Sequence, residues 1–265
     1  MKILVIGNSH AASLKQGFDR VRNLPEQIEL TWFTCAGREF YKLTCDKHSF
    51  GLQNATRKPE IERKLIKRNG AARISIEAFD RILIAGHTNG FLEIITLLAQ
   101  FGVEAVHAKP STPILTKDGF TQCLDHILQS RIPNWGSSVT GIPVDMIPAP
   151  RLTDDVEPFL GSAPKFRFCR DLRKENERLF EILSFAEQRY AAFASDAGIH
   201  VLPQPDKTIS KITGLTLPIF NRQIESIFGQ AKAPDGAHVN WEYGLLAAED
   251  YLNYINAALP QKVRH

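Results

Sequence analysis

The stretch Ile3-Leu4-Val5-Ile6 is an apolar, β-branched run that stops at Gly7-Asn8-Ser9-His10, after which Ala11 to Arg20 takes up helical spacing. The same order returns later. Asp80-Arg81 introduces Ile82-Leu83-Ile84-Ala85, Gly86-His87-Thr88-Asn89-Gly90 breaks the run, and Phe91 to Phe101 is again helical in pattern. A strand that is apolar throughout must be covered on both faces, and a helix that follows it directly supplies half of that cover. Ile28 to Phe33, Val144 to Ile147 and Ile199 to Leu202 read as three more strands, the second closed by Pro148-Ala149-Pro150. Leu172, Leu179, Ile182, Leu183, Ala186, Tyr190 and Phe193 lie on one helical stripe, which predicts a single long helix with Asp171 as N-cap and Gly198 as stop. A last helix starts near Asn240, a good N-cap, and is expected to bury Leu245, Ala248, Leu252, Ile255 and Leu259. Strands alternating with helices predict an α/β fold, a three-layer α/β/α sandwich around a parallel sheet of flavodoxin-like type.

With 265 residues, 43% of them hydrophobic, the chain has enough apolar material for one domain with a proper core. Two stretches, at about 40–70 and 107–140, do not fit the repeat and are expected to be insertions into a single domain spanning 1–265. The formal charge of +3 comes from scattered Lys and Arg, too mild a balance to imply nucleic acid. Cys35, Cys45, Cys123 and Cys169 show no CxxC spacing, so neither a zinc ribbon nor a redox pair is indicated and free thiols are expected. The remaining histidines, His48, His107, His126, His200 and His265, lack metal-site spacing, and no metal or cofactor is expected. No apolar run approaches the length of a membrane span or of a signal-peptide core, which makes a cytoplasmic location the expectation.

In parallel sheets, ligands bind outside the carboxyl ends of the strands. Applied to this chain, that rule collects Asn8, Ser9 and His10, then Cys35 and Gly37, then His87, Thr88 and Asn89. A fourth polar group, Asp235-Gly236-Ala237-His238, lies in a loop just before the last helix. Each group alone has a plain structural reading: a serine after a strand caps helices, and an Asp-x-x-His pair makes a local hydrogen bond. Together they contain the parts of an acyl-transfer site. A serine hydroxyl becomes a competent nucleophile when a base takes its proton. His238 does this through one ring nitrogen if Asp235 holds the other N–H, and one loop presents both side chains.

These blocks resemble those of the GDSL or SGNH hydrolases, a superfamily of esterases, lipases, thioesterases and carbohydrate deacetylases on a three-layer α/β/α fold. Gly7-Asn8-Ser9 is similar to the first block, with Asn8 where the family has Asp and His10 where it has Leu. Asp235-Gly236-Ala237-His238 matches the last block without a gap. The resemblance implies Ser9 as nucleophile, His238 as base and Asp235 as its orienting acid. It also implies an oxyanion hole made by Ser9 N–H, Gly37 N–H and the Asn89 amide. The third block, Gly86-His87-Thr88-Asn89, has one residue more than the family's spacing, so His87 stands as a rival to Asn89. His10, His87 and Trp135 are candidate substrate contacts, Trp135 because its Pro133-Asn134-Trp135-Gly136-Ser137-Ser138 setting reads as a binding loop.

The expected activity is hydrolysis of carboxylic esters, with O-acyl groups on a carbohydrate as one substrate class. Two alternatives remain open at this level, an acyltransferase using the same site and a noncatalytic carbohydrate-binding domain that kept the fold. A dinucleotide site is disfavoured because Gly7 is followed by Asn8-Ser9-His10-Ala11-Ala12, without the later glycines that let a backbone approach a pyrophosphate.

Overall fold

The computed structural model describes residues 1–265 except 23, 54–57, 105–111, 136–138, 140, 162–163, 176–177, 222–223, 226–230, 233–235 and 259–265. Five strands form the central sheet: β1 (Lys2–Gly7), β2 (Glu29–Thr34), β3 (Arg81–His87), β4 (Val144–Pro148) and β5 (Ile199–Val201). They are parallel and lie in the order β5-β4-β3-β1-β2, the doubly wound order whose direction of winding reverses between β1 and β3. All five coincide with the strands predicted from the apolar runs. β1 is buried from Ile3 to Gly7, whereas β2 at the sheet edge is only half-buried over much of its length.

Side chains that alternate along the strands feed two separate cores, as the pleat requires. Leu4, Ile6, Ile82, Ile84 and Met146 face one core, which α4 (Phe91–Gln100) and the later long helix fill with Ile94, Leu98 and Leu183. Ile3, Val5, Leu83, Ala85 and Ile147 face the other, closed by α1 (Ala11–Phe18) and the last helix through Leu14, Phe18, Tyr251 and Ile255. A short helix, α2 (Gly37–Phe40), follows β2. The first irregular stretch contains α3 (Pro59–Asn69) and a small antiparallel sheet of Thr44–Cys45, Ser49–Gly51 and Arg73–Ser75. The second contains α5 (Lys117–Gln129), capped by the Thr116 hydroxyl, which accepts from Gly119 N–H at 3.0 Å.

The predicted single helix before β5 is two helices, α6 (Pro164–Glu175) and α7 (Leu179–Asp196). Asp171 is not an N-cap. It lies inside α6, where its carboxylate accepts from the Arg170 guanidinium at 2.8 Å. The apolar stripe hides the division because Leu172 and Leu179 are one heptad apart, close to two helical turns, so both helices bury the same side. Gly198 does end α7, with a φ of +76°.

The last helix, α8 (Trp241–Ala258), buries Ala248, Leu252 and Ile255 as expected; Leu245 is half-buried and Leu259 lies outside the described residues. Asn240 caps it, its Oδ1 accepting from Glu242 N–H and Tyr243 N–H, both at 3.1 Å. α1 and α8 cross with their backbones in contact at Gly17 and Gly244. A Cβ on Gly244 would lie 1.7 Å from the Ser13 carbonyl oxygen, and one on Gly17 would lie 2.1 Å from the Gly244 carbonyl. Glycine inside a helix costs roughly 1 kcal/mol relative to alanine. Here that cost admits a helix pair no other residue permits. Among the described residues, no helix is long and apolar enough to cross a membrane.

Candidate active site

The parallel register sets Gly7 beside Thr34 on one side and Ala85 on the other, so the loops after β1, β2 and β3 leave the sheet side by side. Asn8 ties two of them together. Its Nδ2 donates to Gly86 O at 2.6 Å, and its Oδ1 accepts from His10 N–H at 2.9 Å. Because Asn8 is buried, both bonds run in a poorly solvated setting. Gly86 is required opposite it. Its φ is +80°, and a Cβ would fall 2.6 Å from Asn8 Oδ1 and 2.5 Å from His10 Cβ.

This clamp gives a physical reason for Asn where the resembled family carries Asp. An ionised carboxylate cannot donate to Gly86 O. Asn8→Asp is therefore expected to destabilise the fold by about 1–3 kcal/mol at neutral pH. Only the protonated acid can restore the donor, so the introduced group's folded-state pKa lies above its unfolded value. The stabilising bond is then present at low pH and lost as pH rises through that folded value. Urea unfolding of the variant and the wild type at acid and neutral pH checks this, and equal stability at both would contradict the clamp.

The loop after Asn8 opens α1, whose N-cap residue, His10, provides no side-chain cap. The Ser9 hydroxyl is engaged elsewhere: its Oγ lies 2.9 Å from His238 Nε2, a residue 229 positions away. With that nitrogen unprotonated, the hydroxyl donates to it. Several bonds fix the backbone that carries His238. Asn221 Nδ2 donates to His238 O at 2.6 Å, Thr153 N–H donates to Gly236 O at 2.9 Å, and Asn240 N–H donates to Phe220 O at 2.8 Å. Asp235 lies outside the described residues.

Ser9, His10, Gly37 and Asn89 line one cavity of about 230 Å³ at the winding reversal between β1 and β3. Gly37 opens α2, and a Cβ there would meet nothing within 4 Å. Asn89 is buried, its Oδ1 accepting from Phe91 N–H at 3.4 Å. His10 stacks on His238.

Two candidate contacts are placed elsewhere. His87 points into the fold, its ring against Phe40, Tyr41 and Trp135, and its Nδ1 lies 2.9 Å from Thr88 O. Burial pushes its pKa down to about 4, so the ring is neutral near pH 7. Trp135 is 8% exposed and wedged against Phe40 and Phe50 at centroid distances of 5.4 and 4.9 Å. Its loop-like neighbours suggest a binding surface, but a large ring in reach of two buried phenylalanines lowers the free energy more by burial than by facing water. Neither residue lines the cavity. Burial also pushes the Cys35 thiol, at the end of β2, up to about 12, which keeps it protonated and a poor nucleophile.

Of the polar residues that line the cavity, Tyr41, Arg151 and Lys165 were not read as site residues from the sequence. Tyr41 is 52% exposed, and its hydroxyl accepts from Thr88 N–H at 3.4 Å. The Arg151 guanidinium is buried, donating to Gly214 O at 2.7 Å and to Glu187 Oε2 at 2.8 Å. Arg151 follows the Pro148-Ala149-Pro150 end of β4 directly, so extending the carboxyl-end rule to that strand finds it.

Among the described residues, no group of three or more His, Cys, Asp and Glu side chains could hold a metal ion. No family model matches the chain, and no curated protein matches it. Among solved structures, it is similar to Est24, a carbohydrate acetylesterase from Sinorhizobium meliloti. The two share 11% identity over 97% of this chain and 99% of that one, with a TM-score of 0.42.

Proposed function

We propose that the chain is a serine hydrolase of the GDSL or SGNH type that cleaves carboxylic esters, with O-acyl groups on a carbohydrate as one substrate class. The observation that carries this reading is the 2.9 Å contact between Ser9 Oγ and His238 Nε2 at the rim of the cavity. Ser9 Oγ bonds to the ester carbonyl carbon while its proton passes to His238 Nε2. The tetrahedral intermediate then collapses. The carbon–alkoxy bond breaks, and the imidazolium returns the proton to the leaving alcohol. Water repeats the sequence on the acyl-enzyme, with His238 taking its proton, and releases the acid and free Ser9. Asp235 holds the second ring N–H of His238 in this scheme.

Charge that develops on the carbonyl oxygen needs donors already in place. Ser9 N–H, Gly37 N–H and the Asn89 NH₂ group fill that role. The Asn89 side-chain oxygen is taken by Phe91 N–H, which leaves the NH₂ end as the donor for a guest. Labelling the intact protein with a fluorophosphonate, followed by peptide mapping, tests the proposal. Modification is expected at Ser9, and a protein left unlabelled, or labelled only at another serine, would refute the assigned nucleophile.

A further inference from the structure

The ring of His10 lies flat against that of His238, with centroids 4.4 Å apart and planes inclined by 19°. Three features that hold His10 belong to the turn that carries the nucleophile or to the strand beside it. Its N–H donates to Asn8 Oδ1 at 2.9 Å, its carbonyl accepts from the Ser13 hydroxyl at 3.0 Å, and Gly86 leaves the space its Cβ needs. His238 comes from a different part of the chain, the loop before α8. The stack therefore joins the two loops whose relative position decides whether Nε2 meets Oγ.

We infer that His10 is a positioning residue, a flat plate that holds the His238 imidazole in the plane from which Nε2 reaches Ser9 Oγ. The inference rests on the hydrolase reading above. Hydrogen bonds at its two nitrogens, to Ser9 Oγ and in this scheme to Asp235, act only at the edge of the imidazole. The torsion that turns the ring has a broad profile, and neither bond opposes a swing of the plane about the line joining those nitrogens. A parallel ring at stacking distance stops the swing, because turning His238 out of plane drives its edge into the His10 face. The base needs this restraint twice in each half of the turnover. It takes a proton from Oγ and then gives one to a leaving oxygen beside it, and both transfers require the same ring plane. Ser9 and His10 are adjacent, so a shift at the end of β1 moves nucleophile and plate together.

The test compares wild type, His10→Ala and His10→Phe by fluorophosphonate labelling rate and by kcat and KM on a short-chain p-nitrophenyl ester. His10→Ala is expected to lower the labelling rate and kcat by roughly ten- to a hundredfold, the size of a modest misplacement of a catalytic group. KM should stay within about twofold. His10→Phe, which keeps a flat ring and removes both ring nitrogens, should recover most of the loss. Wild-type kcat and labelling in folded His10→Ala, or no recovery in folded His10→Phe, would overturn the inference. So would a raised KM at unchanged kcat, which makes His10 a substrate contact instead. If His10→Ala does not fold, His10→Leu, which keeps the bulk without the flat face, is compared in its place. An independent readout is the ring-proton resonances of His238. They should move when the His10 ring is removed, and unmoved resonances also count against the plate. A wild-type protein that takes up no label refutes the hydrolase reading itself, which keeps the two failures apart.

Discussion

Ser9→Ala is expected to lower kcat on a short-chain ester by about 10⁴-fold or more, with His238→Ala equally damaging. Neither change removes core packing, because both side chains are only half-buried. The unfolding transition of each variant should therefore stay close to that of the wild type. The double variant adds a sharper requirement. Groups that act as one unit lose most of their effect when either is removed, so Ser9→Ala combined with His238→Ala should be little worse than either single change. Fully multiplicative losses would show that the two residues contribute separately. Wild-type turnover in either single variant would remove the mechanism.

The largest effect on stability is expected at the crossing of α1 and α8. Gly244→Ala places a methyl group where a Cβ lies 1.7 Å from the Ser13 carbonyl oxygen. Backbone cannot turn aside as a flexible side chain does, so the helices must part by roughly an ångström or more. A cost of about 3 kcal/mol or higher follows, well above the gain of about 1 kcal/mol that alanine brings to a helix interior. Activity should fall with it. Ser9 lies just before α1 and His238 just before α8, so the separation of the helices sets the reach between hydroxyl and imidazole. Urea titration and kcat at full folding measure the two losses. Asn253→Ala on the exposed side of α8 serves as the control, and equal stability of the two variants would mean that the helices are not in backbone contact.

The strands were legible because β-branched runs bounded by Gly, Pro and polar residues leave few other conformations, and each such run became a strand of the central sheet. The carboxyl-end rule then selected Ser9, Gly37 and Asn89, which share one cavity. What stayed hidden depends on partners distant in sequence. Gly17 reads as a weak point in a helix until Gly244 is beside it, and Trp135 reads as a binding residue until Phe40 and Phe50 enclose it. Asn8 looks like a simple departure from a pattern; the bond to Gly86 O gives it a purpose. The division between α6 and α7 escaped because an apolar stripe records which side is buried and not whether the backbone is continuous.

The pairing of α1 with α8 also bears on how the protein is made. During synthesis the hydroxyl of Ser9 leaves the ribosome 229 residues ahead of the His238 ring that it meets in the fold. Until α8 docks, the sheet face built from Ile3, Val5, Leu83 and Ala85 lacks half of its cover. In the proposed mechanism, a nascent chain halted before His238 carries a nucleophile without its base. In that mechanism reactivity and completion of the fold arrive together, so the growing polypeptide is chemically quiet while it is most exposed.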